Sequence, residues 1–188
     1  MPESGTGDAR ETDSVRDTDS VHDEYDRHRR RVLWAMPTGL YVIGSRAGDE
    51  VNLMTANLVV QVCMEPKLVA VAVEHEAVTL RLVRDGGAFS CSLLPRSERA
   101  VVRHFAKPVI DVAHADDGTV LTMAGHAVNE VGPAKLPVLA SAVGYLYCPL
   151  TRTEELGSHV LCIGEVVEVG GEPSEVLRME DTRMHYGG

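Results

Sequence analysis

Val51-Asn52-Leu53-Met54-Thr55-Ala56-Asn57-Leu58-Val59-Val60-Gln61-Val62 is an apolar stretch broken by one polar island, Thr55-Ala56-Asn57. Met64-Glu65-Pro66-Lys67 closes it as a turn, and Leu68-Val69-Ala70-Val71-Ala72-Val73 opens a second apolar run. Runs this rich in Val and Leu, bounded by turn residues, predict buried or half-buried strands. Thr55 and Asn57 are out of place there, because an unpaired buried polar group costs about 1–3 kcal/mol. Either nearby backbone satisfies them, or they face a ligand. Thr and Asn also serve as bulge or turn residues, which is the plainer reading.

Working outward, Gly39 to Ser45 reads as a strand, and Ala47-Gly48-Asp49-Glu50 turns it into the Val51 to Val62 strand as a hairpin. Glu76 to Asp85 fits a short helix that Gly86-Gly87 ends. Ala88 to Leu94 is a strand stopped by Pro95, and Ser97 is an N-cap for a second helix reaching Ala106. Lys107 to Leu136 is aperiodic and reads as a long loop with at most one short element. Ala140 to Leu150, Val160 to Val169 and Val176 to Met179 complete the strands. Strands interrupted by helices, rather than alternating with them, argue against a doubly wound parallel sheet. They predict a mainly β fold with short helices, a six-stranded antiparallel barrel with helices packed outside it.

The chain has 188 residues, room for one domain with a substantial core. Its 44% hydrophobic and 24% charged residues are ordinary for a globular protein. No apolar run nears the roughly 20 residues that span a bilayer, and the amino terminus lacks the order of a secretory signal. A cytoplasmic protein without a membrane partner is expected. Residues 1–26 hold nine acidic and two basic side chains, a net −7, which leaves −3 of the total −10 to everything beyond Asp26. Residues 1–22, rich in Ser, Thr, Asp and Gly, read as a disordered acidic tail before a domain over 23–188. Asp23 to Met36 suits a short helix, with Arg27 and Arg29 to Arg31 as a solvated face balanced by Asp23, Glu24 and Asp26. A nearly neutral domain offers no concentrated positive face for nucleic acid.

Cys63, Cys91, Cys148 and Cys162 lack the paired spacing of a zinc site, and they read as reduced core residues. His75, His104, His114, His126 and His185 show no ligand spacing, so no metal is expected. There is no G-x-G-x-x-G, Walker, H-E-x-x-H or G-x-S-x-G pattern.

Five segments in order carry a more specific message. They are Gly39-Leu40-Tyr41-Val42-Ile43-Gly44-Ser45; Asn52 to Asn57; Val62-Cys63-Met64-Glu65-Pro66; Phe89-Ser90-Cys91-Ser92-Leu93; and Gly157-Ser158-His159 followed by Ile163-Gly164-Glu165-Val166. Together they resemble the flavin reductase-like family of FMN-binding split barrels, over roughly Met36 to Tyr186. The resemblance implies a split barrel and NADH- or NADPH-dependent reduction of FMN, or of FAD, by hydride transfer to flavin N5. It implies a homodimer and a partner monooxygenase that takes the reduced flavin. It assigns Met54, Thr55, Ala56 and Asn57 to the flavin, Gln61, Val62 and Cys63 to the neighbourhood of its ring, and Thr79 to its phosphate. It places His159, as the catalytic residue, on the nicotinamide side.

Three positions depart from the family pattern: Cys63 where Ser is common, Ser92 where Asn is common, and Ser158 where Asp is common. The last removes a charge beside His159. An FMN-binding electron carrier or flavin-binding module without reductase turnover stays open as the alternative. Haem on the same barrel, and nucleic-acid binding through Arg27 to Arg31, are weaker rivals.

Overall fold

The computed structural model describes residues 9–172 and 174–184, in two compact units. The first is helix α1 (Ala9–Trp34), which begins well before the expected Asp23. Residues 9–22 are therefore helical rather than irregular, and the rest of the expected tail, residues 1–8, lies outside the described residues. No Gly or Pro occurs between Ala9 and Trp34, so nothing in the chain breaks the helix once started. Its arginines are balanced locally as expected: Arg29 and Arg30 both pair with Asp26, and Arg27 Nε donates to the Asp23 carbonyl.

The second unit, Thr38–Met184, is mainly β. Its strands are β1 (Tyr41–Ala47), β2 (Glu50–Ala56), β3 (Val59–Met64), β4 (Lys67–Glu74), β5 (Ala88–Leu93), β6 (Val112–His114), β7 (Val120–Met123), β8 (His126–Val131), β9 (Leu136–Leu139), β10 (Gly144–Leu156), β11 (His159–Glu165) and β12 (Glu168–Gly170). Helix α2 (Val78–Gly86) lies against β1 and β2. The larger sheet runs β2–β1–β5–β10–β11–β4–β3, with β12 joined to β10, and the smaller runs β6–β7–β8–β9. Every pairing is antiparallel, as expected. The count differs from the expected six, and the larger sheet does not close. Strand β10 bends it, pairing with β5 through its first half and with β11 through its second, with an irregular register between Leu150 and Arg152.

Val51 to Val62 is not one strand. It divides at Asn57-Leu58 into β2 and β3, which stand at opposite ends of the larger sheet. The polar island marks the point where the chain leaves one sheet end for the other, and the two edge strands do not pair with each other there.

Two other readings need correction. Ser97 to Ala106 forms two 3-10 turns, Arg96–Glu98 and Val101–Phe105, not an α-helix. Pro95 precedes the first and the β-branched pair Val101-Val102 opens the second, neither of which helps a longer α-helix. Lys107 to Leu136 is no long loop but contributes β6, β7, β8 and the start of β9. The joining turns are tight: Ala124-Gly125 connects β7 and β8 with φ of 48° and 76°, the left-handed pair a two-residue hairpin requires. At the β6–β7 turn Thr119 N–H donates to Asp117 at 2.9 Å, which holds that carboxyl below its usual range.

Residues alternate across the larger sheet with period two. Val42, Val51, Leu53 and Leu94 face one core shared with Phe105, Met123 and Leu139. Ile43, Ala56, Val69, Val71, Phe89 and Cys91 face a second core shared with Leu80 and Val83 of α2. Buried hydroxyls join the two sheets: Ser90 donates to the Pro137 carbonyl at 2.7 Å, and Ser92 accepts from Leu139 N–H at 3.1 Å.

Candidate functional site

The β2 strand splits its polar residues between its two faces. Thr55 points with Leu53 and donates its hydroxyl proton to the Val102 carbonyl at 2.5 Å. Asn52 points the other way, donating to Thr79 Oγ1 at 2.9 Å while its own carbonyl accepts from Val109 N–H at 3.0 Å. Thr79, near the start of α2, is only 1% exposed, so its side chain belongs to the core rather than to an open surface. Met54 and Ala56 pack on the second core. Asn57 stands apart. It is 7% exposed, yet its side-chain amide has no hydrogen bond to any described residue. That leaves one half-desolvated donor–acceptor group unassigned at the open seam of the sheet.

Strand β3 begins just beyond Asn57 and is the end strand of its sheet, with Val60, Val62 and Met64 exposed, the last by 82%. Gln61 Nε2 donates to the Cys63 carbonyl at 3.0 Å. Beside the strand lies a groove of about 300 Å³. Its apolar walls include Val59, Val69, Leu93, Leu146 and Val166, and Tyr41, Gln61 and Lys67 supply its polar groups. Burial, with the neighbouring Cys91 thiol, raises the Tyr41 phenol above its ordinary value, so it stays a neutral donor. Tyr41 lay within a quoted segment, but its role did not show. Val166 also lay within a quoted segment, whereas Leu146 had no local signal at all, because five separate strands and a loop converge on this groove.

His159 opens β11 immediately after the two-residue Gly157-Ser158 turn, where Gly157 has φ of 47°. Ser158 Oγ and His159 Nδ1 are 2.8 Å apart. The turn is braced by His75, whose Nε2 is 2.9 Å from the Gly157 carbonyl, and by Arg84 paired with Glu155. Opposite His159 on β4 is Glu74, five residues beyond the groove residue Val69, about 17 Å along the strand. His159 and Gln61 are thus not brought together within one chain. The island is nearer: the Leu58 carbonyl accepts from Ala72 N–H, and Ala72 pairs with Leu161 of β11, about 10 Å away across two strand spacings. Asn57-Leu58 and His159 therefore share one end of the sheet, and β3 leads from it to the apolar groove.

Cys91, Cys148 and Cys162 are buried as expected, whereas Cys63 is half-exposed. Burial pushes Cys148 up to about 12 and Cys162 up to about 11, and it raises Cys91 further. All three remain thiols at neutral pH. A disulfide-exchange reagent should titrate one thiol per native chain and four after unfolding, and Cys63→Ser should remove the native signal. Among the described residues no cluster of His, Cys, Asp and Glu could hold a metal ion.

Comparison with known proteins bears on the same region. The chain is 31% identical over 142 residues to the NADH-dependent FAD reductase of Streptomyces globisporus, covering 73% of this chain and 72% of that one. It is 32% identical over 145 residues to the reductase component of 4-hydroxyphenylacetate 3-monooxygenase from Thermus thermophilus, covering 76% and 85%. The structure of the NADH:FAD oxidoreductase of Streptomyces globisporus, in complex with NAD and FAD fragments, superposes with a TM-score of 0.67 at 28% identity, over 83% of this chain and 88% of that one. With the sequence profile of the flavin reductase like domain matching residues 33–187, the chain belongs to that family.

Proposed function

We propose that the protein is an NADH-dependent flavin reductase that supplies reduced flavin to a partner oxygenase. The observation that carries this reading is Asn57, a residue only 7% exposed whose side-chain amide makes no hydrogen bond to any described residue, at the seam from which β3 leads to an apolar groove. The residues present fit a flavin. About 300 Å³ with apolar walls is at the lower end of small-molecule pockets and suits a planar ring. The Asn57 and Gln61 amides and the neutral Tyr41 phenol suit the ring's polar edge.

When bound, the flavin supplies N5 as the acceptor of hydride from the dihydronicotinamide. The chain's own work is positioning. Val59, Leu93, Leu146 and Val166 exclude water from the ring, and Asn57 fixes its orientation from the seam. Met54 and Ala56 support the seam from the core side. Thr55, its proton held by Val102, contributes its lone pairs, while Val62 and Cys63 offer the β3 backbone. Thr79 acts only through Asn52 or through its own N–H near the start of α2. His159, beside Ser158 at the seam end of the sheet rather than in the groove, is the residue we assign to the nicotinamide side.

FMN is the flavin we take as primary, with FAD also accepted and NADH or NADPH as donor. We read β1, β2, β5, β10, β11 and β4 as the six strands of a split barrel, and residues 23–188 as the working domain. The match over residues 33–187 supports that extent. The exposed Val60, Val62 and Met64 on an end strand support a homodimer that covers them. A cytoplasmic site of action completes the reading. Among the described residues no helix is long and apolar enough to cross a membrane.

Titration of FMN and FAD into the protein, followed by flavin fluorescence, tests the site. Thr55→Val with Asn57→Leu should weaken binding by roughly tenfold or more, the loss expected for one or two hydrogen bonds. Unchanged affinity in the double variant would remove the island from the site. Binding without nicotinamide oxidation would instead favour a flavin carrier.

A further inference from the structure

Lys67 is the one charged side chain that lines the groove among the described residues. Its ammonium makes no ion pair or hydrogen bond with any of them. The backbone sets its place: Lys67 follows the Glu65-Pro66 turn, pairs with Met64 across β3 and β4, and gives its carbonyl to Val166 N–H at 2.9 Å. Val166 lines the same groove. The nearest carboxylates in register, Glu65 on the turn and Glu165 opposite Leu68, are exposed and leave the ammonium unpaired. An otherwise apolar groove therefore carries one uncompensated positive charge.

Such a charge distinguishes the two states of a ring that accepts hydride. A neutral ring that gains H⁻ has gained one negative charge, and the nicotinamide that lost it has gained one positive charge. The fixed ammonium attracts the reduced, anionic ring and is nearly indifferent to the oxidised one. The position is exposed, so water and salt screen that attraction and its size should be modest. Only such a difference in binding, not tight binding as such, alters the balance between the two states.

We propose that Lys67 makes this groove bind reduced flavin more tightly than oxidised flavin, so that the product stays shielded until the partner oxygenase takes it. The proposal rests on the flavin reading given above. It adds a direction to it: the site favours what it makes.

Dissociation constants of oxidised FMN, and of FMN reduced chemically under anaerobic conditions, test it in the wild-type chain, Lys67→Met and Lys67→Arg. The position is exposed, and an unchanged urea midpoint confirms that each variant is folded. Lys67→Met should lower the ratio of oxidised to reduced dissociation constants about tenfold, equivalent to a shift of about 30 mV in the bound two-electron couple. Lys67→Arg should keep the ratio, and added salt should shrink it in the wild type. If Lys67→Met binds oxidised FMN normally and the ratio is unchanged, Lys67 has no such role. If the wild-type chain binds neither form, the flavin reading itself falls, and the proposal with it.

Discussion

Glu130→Ala is expected to lower the unfolding free energy by about 3–5 kcal/mol, the range for breaking one side of a buried ion pair. Glu130 on β8 pairs with Arg46 on β1, and their side chains are 9% and 16% exposed. The same carboxylate accepts from Val120 N–H at 3.1 Å, so its removal also orphans a backbone donor. The guanidinium left behind is already under-satisfied, since Arg46 Nε is buried without a hydrogen-bond partner. Arg46→Met with Glu130→Leu should recover most of the loss, because no charge then stays buried. Urea unfolding of the two variants and the wild type at one protein concentration measures both effects. Equal stability of Glu130→Ala and the wild type would mean that the pair does not join the sheets.

Gly44→Ala should be comparably severe. Gly44 faces β9, and a Cβ built there falls 2.0 Å from the Pro137 carbonyl oxygen and 2.3 Å from Ser90 Oγ. Ser90 is itself bonded to that carbonyl, so neither atom can yield without moving β9. Overpacking costs about 1–3 kcal/mol where side chains can give way, and more where backbone must shift. A loss of at least about 3 kcal/mol is expected, read from the urea midpoint. Gly48→Ala is the matched control: it sits at φ of 58° with nothing within 4 Å of a new Cβ. It should cost only the turn penalty of about 1 kcal/mol.

The parts of the fold legible in the sequence are those written locally. The Gly48-Asp49 and Gly157-Ser158 turns join strands paired from the first residue on either side, so adjacent positions carry the whole signal. Helix α2 announced itself through its apolar face and the two glycines that end it. Strands β6, β7 and β8 did not: β6 and β7 are only three and four residues long, too short for a period to show, and β8 carries His126, Asn129 and Glu130 among its apolar residues.

The island illustrates the limit more sharply. Thr55 and Asn57 stood out because they interrupt an apolar run, but the run gave no sign that it served two ends of one sheet. Periodicity reports which face a side chain takes, not which strand lies beside it. The candidate site suffers the same way. Asn57 and Gln61 were visible in one segment, whereas Tyr41, Lys67, Leu146 and Val166 meet only through the folding of distant strands. Thr79 shows the same limit: a hydroxyl near a helix start suggests an anion, but the sequence does not reveal that this hydroxyl accepts from the Asn52 amide.

The central claim is that this chain passes hydride from NADH to a flavin. Purified protein mixed with FMN or FAD under anaerobic conditions, then given NADH, tests it in the visible and near-ultraviolet spectrum. The account predicts that the oxidised-flavin band bleaches and NADH is consumed in equal amount, at a rate proportional to protein concentration. Persistence of both bands with either flavin, and with NADPH in place of NADH, would contradict it.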